Sequence, residues 1–384
     1  MEKITEECTG CGTCNLICPV SAINMQSSNE GFSIPVINQN ICIDCGLCKK
    51  KCPQNNAIKV FNPIAYYGIS SKNTSLLNQS ASGGVFSTLA YNTILNGGVV
   101  YGVRYNSCFD AIYDRIDSID RLPSILSSKY VQAYTNQIFK SVKFDLERQK
   151  KVFFCGTPCQ IAGLKSYLKQ NYDNLYTADL ICHGVPSPLM FKHYIKWLEI
   201  KFGNSITHYN FRDKKYGWGL SFCAKTQTKT LRNSCDVDPY YHHFLKGDCY
   251  RQCCYNCKYA KKERIADITL GDFWGIDEII DKEKCKKGWS AVIINTPIGE
   301  KLLSENINDF NLFSTNFETI VKHNLNLIRP SAIEPNIRNK FYKDINISET
   351  WFYDNVVRDF KVPLKAKVRK YIPIIIKNLL IKIK

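Results

Sequence analysis

The sequence is poor in several features that would each suggest a class of function. It has 34 acidic residues against 51 basic ones, and only 6 histidines. No apolar run reaches the ~20 residues a membrane-spanning helix needs. Apart from His183, the histidines fall at no metal-binding spacing. The opening Met1-Glu2-Lys3-Ile4-Thr5-Glu6-Glu7 has no apolar stretch of the secretory kind, so export by that route is not expected. What is abundant is cysteine, 19 in 384 residues. Outside an oxidising compartment, thiols at that density bind metal or do redox work more often than they pair. A cytoplasmic metalloprotein is expected. With 45% hydrophobic and 22% charged residues, the chain buries a substantial core, and its length suggests two or three domains.

The net charge of +17 is unevenly placed. From Arg358 onward a local excess of +8 accumulates, leaving +9 for the much longer remainder. Thiolate-bound metal clusters would add negative charge to that remainder, so nucleic-acid binding is not expected.

The first sixty residues repeat themselves. Cys8-x2-Cys11-x2-Cys14-x3-Cys18-Pro19 returns as Cys42-x2-Cys45-x2-Cys48-x3-Cys52-Pro53. Three cysteines two residues apart wrap a loop around one corner of an iron-sulfur cube, and the fourth points away to the other cluster. This crossing assigns Cys8, Cys11, Cys14 and Cys52 to one [4Fe-4S] cluster, and Cys42, Cys45, Cys48 and Cys18 to the second. Gly10, Gly12 and Gly46 suit the close backbone approach that N–H bonds to sulfur require. A pair of zinc sites fits badly, because zinc favours separated CxxC pairs.

Past Asn62-Pro63 the cysteine density falls. Ser80-Ala81-Ser82-Gly83-Gly84 precedes Val85, Phe86, Leu89, Ala90 and Ile94 at helical spacing, with Ser82 as the expected N-cap. This turn is either a phosphate seat or an ordinary helix start. Val152-Phe153-Phe154-Cys155 reads as a buried strand, Gly156-Thr157-Pro158 as a turn into a helix carrying Ile161, Leu164 and Leu168, and Leu175 to Cys182 as a second strand. Such a unit implies parallel pairing, with a ligand site at the strands' carboxyl ends. Cys159 and Cys182 then join Cys254 and Cys257 as candidate ligands of a third [4Fe-4S] cluster, with Cys155, Cys249 or Cys253 as substitutes. Cys108, Cys223, Cys235 and Cys285 read as small buried apolar side chains.

These segments, with Ser128-Lys129-Tyr130-Val131-Gln132, Ile181-Cys182-His183-Gly184-Val185-Pro186-Ser187-Pro188, Phe211-Arg212-Asp213-Lys214 and Asp267 to Gly275, resemble the family formed by the beta subunits of coenzyme F420 hydrogenases and dehydrogenases. The nearest likeness is to its ferredoxin-fused members near bacterial surface-polysaccharide genes. The resemblance implies an iron-sulfur flavoprotein that moves electrons between clusters and bound FAD, then hydride to or from a deazaflavin. It also implies flavin contacts at Ser82, Gly83, Gly84, Lys129, Gly156, Thr157 and Pro158. Arg212 and Lys214 would contact an acidic substrate or form a solvated basic loop. Asp272 would fix a tight turn, Phe273 and Trp274 would be core or a flavin wall, and His183 would be structural.

The expected fold is α+β: a bacterial-type two-cluster ferredoxin module over 1–60, an α/β domain with a partly parallel mixed sheet over 61–345, and a basic amphipathic tail over 346–384. The tail would lie on an anionic membrane surface or dock on protein. Expected partners are a redox protein or electron-donating ferredoxin and a small-molecule hydride acceptor. The alternative is an adaptor that passes electrons to a partner oxidoreductase without chemistry of its own.

Overall fold

The computed structural model describes residues 4, 5, 7–332 and 335–364. Residues 365–384, most of the expected membrane-surface tail, lie outside them. Among the described residues no helix is long and apolar enough to cross a membrane.

In the first module the cysteine loop around Cys8 and Cys11 leads into a short helix, Thr13–Ile17, closed at Cys18. An antiparallel hairpin follows: β1 (Ile23–Ser27) pairs with β2 (Ser33–Ile37), Ile23 facing Ile37. The second cysteine loop leads into the helix Leu47–Lys50. Its core is tiny: Ile4, Ile23 and Cys52, with Cys14, Cys18, Ile37 and Cys48 packed on them. So little buried apolar surface cannot hold sixty residues in shape, and contacts with the larger domain add to it.

The larger domain is built on an eight-stranded sheet. Its strands are β3 (Ala65–Ser71), β4 (Val99–Tyr105), β5 (Ala111–Ile116), β6 (Val152–Gly156), β7 (Leu175–Leu180), β11 (Ile268–Asp272), β12 (Ser290–Ile294) and β13 (Phe310–Ser314), in the order β13-β3-β12-β11-β7-β6-β4-β5. Between them in sequence, β8 (His208–Asn210), β9 (Ser221–Lys225) and β10 (Thr230–Ser234) form a small antiparallel sheet. The central strands β4, β6, β7 and β11 run parallel, and antiparallel pairs complete both edges. The expected mixed, partly parallel sheet is therefore present. Val152, Phe153 and Phe154 are fully buried, as a central strand covered on both faces demands. The helix Pro158–Leu168 makes the crossover from β6 to β7, opening with Pro158 and a reciprocal Thr157/Gln160 cap.

Two details correct the expectations. The helix Val85–Leu95 is capped by Gly84 in a left-handed conformation, φ 78°, with no side-chain cap. Ser82 instead donates its hydroxyl to the Trp289 carbonyl, 2.8 Å away. Cys108 is exposed, because it lies in a turn closed by Asn106, whereas Cys223, Cys235 and Cys285 are buried.

The main core also continues past position 345. Trp351, Phe352 and Val356 are buried in it, and the helix Pro335–Tyr342 lies against the ferredoxin hairpin. There Arg338 grips Glu30 with both guanidinium nitrogens at 2.9 and 2.6 Å, and the Phe32 and Tyr342 rings meet at 5.4 Å.

Candidate functional site

Two groups of sulfur occur in the first module. Cys8, Cys11, Cys14 and Cys52 line one small cavity and are electrostatic neighbours. The Gly10 N–H points at the Cys8 sulfur from 3.4 Å, and the Ala22 N–H at the Cys18 sulfur from 3.2 Å. Burial pushes the thiols of Cys8, Cys11 and Cys14 up, and the neighbouring Arg251 pulls Cys8 part of the way back. Cys42, Cys45 and Cys48 form the second group, and Cys18 packs on the same small core as Cys48. Among the described residues no three His, Cys, Asp or Glu side chains approach closely enough to hold a single metal ion. Four thiols around a cavity, with N–H groups aimed at sulfur, suit a larger inorganic cluster.

Gly10 allows the first loop to seat. Its φ is +71°, and a Cβ there would meet Gln132 Nε2 at 2.5 Å and the Ser33 carbonyl at 2.6 Å.

The large domain opens at the carboxyl ends of its parallel strands into a cleft of about 320 Å³. Ser82, Gly84, Lys129, Gly156, Thr157 and Pro158 all line it. Gly83 faces the other way, where a Cβ would strike the Ile69 carbonyl at 2.2 Å, and its N–H donates to Ser290 Oγ at 2.9 Å. Gly156 is similarly forced by packing, with the Tyr113 hydroxyl 2.1 Å from where its Cβ would lie. Lys129 is half-buried, and its ammonium donates to the carbonyls of Leu126 (2.6 Å) and Ser127 (3.3 Å). Burial pushes it down to about 7. A cation at the cleft wall, held by neutral carbonyls, suits an anionic ligand.

Cys159, Cys182, Cys254 and Cys257 also line this cleft and sense one another electrostatically. The topology accounts for it. Cys159 opens the helix after β6, Cys182 lies two residues past the end of the strand beside it, and the segment carrying Cys254 and Cys257 precedes β11. Burial pushes Cys182 up to about 12. Cys155 stands apart, facing Lys129 and Asp179, and Cys249 is buried between Asp248 and Arg338. Cys253 lies between this group and Cys8.

The sequence did not single out the groups that join the two modules. Arg251, buried, donates to the Cys8 carbonyl at 2.7 Å and the Ser33 carbonyl at 3.0 Å. Gln132 accepts from the Ser33 N–H at 2.9 Å, and Thr135 donates to the Cys11 carbonyl at 3.0 Å. Thr13 donates to the Gly163 carbonyl at 2.9 Å, and a Cβ on Gly163 would sit 2.9 Å from the Cys11 Cβ. Tyr259 lies among Cys11, Cys52, Cys159 and Cys257. Arg264, in a fully buried pair with Asp179 at 3.0 Å, is an electrostatic neighbour of Cys182 and Cys257.

Arg212 and Lys214 meet neither expectation. Arg212 is buried against Asp272, its guanidinium donating to both carboxylate oxygens at 2.5 and 3.0 Å and to the Gly219 carbonyl at 3.0 Å. Lys214 donates to the carbonyls of Leu77, Ser82 and Lys287. Both are spent inside the fold, so neither is a solvated loop residue nor open to a substrate. Phe273 is core, and Trp274 stacks on Trp218 at 4.8 Å. His183 lies on the cleft wall, open to solvent on one side. Surrounding protein pushes its imidazole below the usual value, while Asp272 pulls it up.

Residues 149–317 match the family described as the carboxyl-terminal part of the coenzyme F420 hydrogenase/dehydrogenase beta subunit, and residues 7–56 match the 4Fe-4S dicluster domain. The chain is 44% identical over 64 residues to Ferredoxin-2 of Chlorobaculum tepidum, covering 15% of this chain and 95% of that protein. It is 20% identical over 310 residues to a subunit of the F(420)H(2) dehydrogenase of Methanosarcina mazei, covering 77% of this chain and 80% of that one. To the coenzyme F420-dependent sulfite reductase of Methanocaldococcus jannaschii it is 23% identical over 310 residues, 77% of this chain and 45% of that one.

Proposed function

Since the chain belongs to the family of coenzyme F420 hydrogenase/dehydrogenase beta subunits and carries a 4Fe-4S dicluster domain at its front, we propose that it is an iron-sulfur flavoprotein oxidoreductase. In this reading Cys42, Cys45, Cys48 and Cys18 hold one [4Fe-4S] cluster, and Cys8, Cys11, Cys14 and Cys52 a second. Cys159, Cys182, Cys254 and Cys257 hold a third at the inner end of the cleft, with FAD in the cleft itself. The observation that carries it is the continuity of sulfur. The first-module cavity, Cys253 and the cleft cysteines follow one another without a break, and the last of them share the cleft with Lys129.

Bound flavin exchanges single electrons with iron-sulfur centres and hydride with an organic acceptor, which a chain joining one-electron carriers to a small-molecule cleft requires. The chain's own residues set the conditions. Lys129 offers positive charge to an anionic ligand. Val85, Phe86, Ile125, Val131 and Leu270 exclude water along the cleft walls. Arg264 and Arg251 place positive charge beside the proposed sulfur ligands, favouring added electrons there. The acceptor is a deazaflavin-type coenzyme, which the relatives' names favour, or a small metabolite such as a surface-polysaccharide intermediate. The electron donor is a redox partner protein.

One observation favours the adaptor reading instead. With Arg212 and Lys214 spent internally, those two basic groups are not available to hold an acidic substrate. Anaerobic purification followed by iron, sulfide and flavin analysis separates the two. About twelve iron atoms with one flavin per chain is the expected result. Full iron with no flavin, even after reconstitution, refutes the flavoenzyme and leaves the adaptor.

A further inference from the structure

We propose that the basic face around the Cys42–Cys48 loop is the dock for an acidic one-electron carrier protein, which delivers its electron to the outer cluster. The inference rests on the iron-sulfur reading above and adds the chemistry and position of the partner.

The two sulfur groups of the first module differ sharply in access. The cavity of Cys8, Cys11, Cys14 and Cys52 is closed off by the large domain through Arg251, Gln132, Thr135 and Gly163. The other group faces outward, with Cys45 exposed and Ile41 and Ile43 on the same loop 47% and 61% exposed. A carrier arriving from solution therefore meets the Cys42–Cys48 loop first. Apolar side chains this open at a redox centre form the dry middle of a small interface.

The rim is of one sign. Lys50 and Lys51 follow the loop directly, and from Asn38 to Val60 the only acidic residue is Asp44. The large domain adds to the same edge. Lys258 donates to the carbonyls of Pro53 and Gln54, the latter at 3.1 Å, and Ser166 holds the Lys51 carbonyl at 2.6 Å. These lysines outnumber Asp44. A basic rim around an apolar centre at a one-electron site selects a partner with acidic groups around its own cofactor.

The test follows reduction of the full-length holoprotein by a photoreduced acidic two-cluster ferredoxin, using stopped flow on the iron-sulfur absorbance. Lys50→Glu/Lys51→Glu/Lys258→Glu is expected to lower the second-order rate constant at low salt by about 10-fold or more. The gap should close to within about 2-fold near 0.5 M salt, where charges are screened over a few ångströms. Lys201→Glu/Lys225→Glu/Lys229→Glu, the same change of net charge placed elsewhere, should stay within about 2-fold of wild type. If charge reversal costs iron, Lys50→Gln/Lys51→Gln/Lys258→Gln with full iron is read instead, with a slowing of about 3-fold expected. Wild-type rates in the iron-replete variant, or equal slowing in the control, overturn the dock alone. Photogenerated deazariboflavin radical, small and uncharged, serves as the reference reductant. Its failure to bleach any iron-sulfur absorbance overturns the iron-sulfur reading and the dock with it.

Discussion

Replacing Cys159 by alanine is expected to remove one cluster of three and nothing else. The helix that Cys159 begins, Pro158–Leu168, is held by Pro158 and the reciprocal Thr157/Gln160 cap, whose Thr157–Gln160 bonds do not need the sulfur. The lost contact is with the Thr157 hydroxyl at 3.2 Å, and alanine is a strong helix former, so the helix stays and Gly163 still seats Cys11. The three sulfurs left behind do not become buried charges. Burial already holds Cys182 up at about 12 and raises Cys257, so without metal they remain neutral thiols that the cleft wall tolerates. With four irons per cube and three cubes, iron should fall from about twelve to about eight per chain. The broad visible absorbance should fall by roughly one third, and the signals of the first-module clusters should persist. Parallel samples of Cys155→Ala and Cys249→Ala, whose sulfurs face Lys129 and Asp179 or Asp248 and Arg338, should keep full iron. Iron analysis and low-temperature electron paramagnetic resonance on anaerobic protein make the check. Undiminished iron in Cys159→Ala, or the same loss in Cys155→Ala, refutes the ligand set.

Three further outcomes are expected. Arg212→Met leaves the Asp272 carboxylate without its bidentate partner and should cost about 3–5 kcal/mol. At about 2.1 cal/mol/K per residue, that lowers the apparent Tm by roughly 4–6 °C. A shift within 1 °C contradicts the pairing. Lys129 and Lys214, both pushed down to about 7 by burial, bind fewer protons in the folded than in the unfolded chain between pH 7 and the ordinary lysine range. Flavin-free protein should therefore gain stability as pH rises above 7. Lys129→Met should remove about half of that gain, and also the loss of flavin affinity over the same interval, as read by thermal melts and equilibrium dialysis at stepped pH. Trp351→Ala empties a fully buried site and should cost about 3–5 kcal/mol, speeding limited proteolysis of the segment after Tyr342. Wild-type cleavage rates would show that the segment is not anchored there.

What the sequence disclosed was governed by local or near-local rules. Cysteine spacing fixes how a loop can wrap, so the 4Fe-4S dicluster domain over the first module was legible. The run Val152 to Cys182 carries its own strand, cap and helix signals, and parallel pairing then brings Cys159 and Cys182 to one edge. What escaped depends on partners that no periodicity announces. Arg212 and Asp272 are sixty positions apart, and nothing in Phe211-Arg212-Asp213-Lys214 says that the arginine is buried. Ser82 resembles a cap because serine usually is one, yet the Trp289 carbonyl, just ahead of β12, takes its hydroxyl. Arg251 and Gln132 showed only as neighbours of other motifs. Trp351 and Phe352 were hidden by being grouped with the basic tail that begins at Arg358, although Trp351-Phe352-Tyr353, three aromatic residues in a row, signal anchorage there.

The Arg338–Glu30 pair and the segment behind it, with the Asn346 side chain on the Asn29 carbonyl, hold the ferredoxin hairpin from the side opposite its cysteine loops. The module is thus clamped between two parts of the large domain and does not swing on a hinge. Tunnelling between its inner sulfurs and the cleft would cross a gap set by side-chain packing and not by an encounter. Internal electron transfer should then be insensitive to solvent viscosity, leaving the encounters with the outside carrier and with the small-molecule acceptor as the diffusive steps.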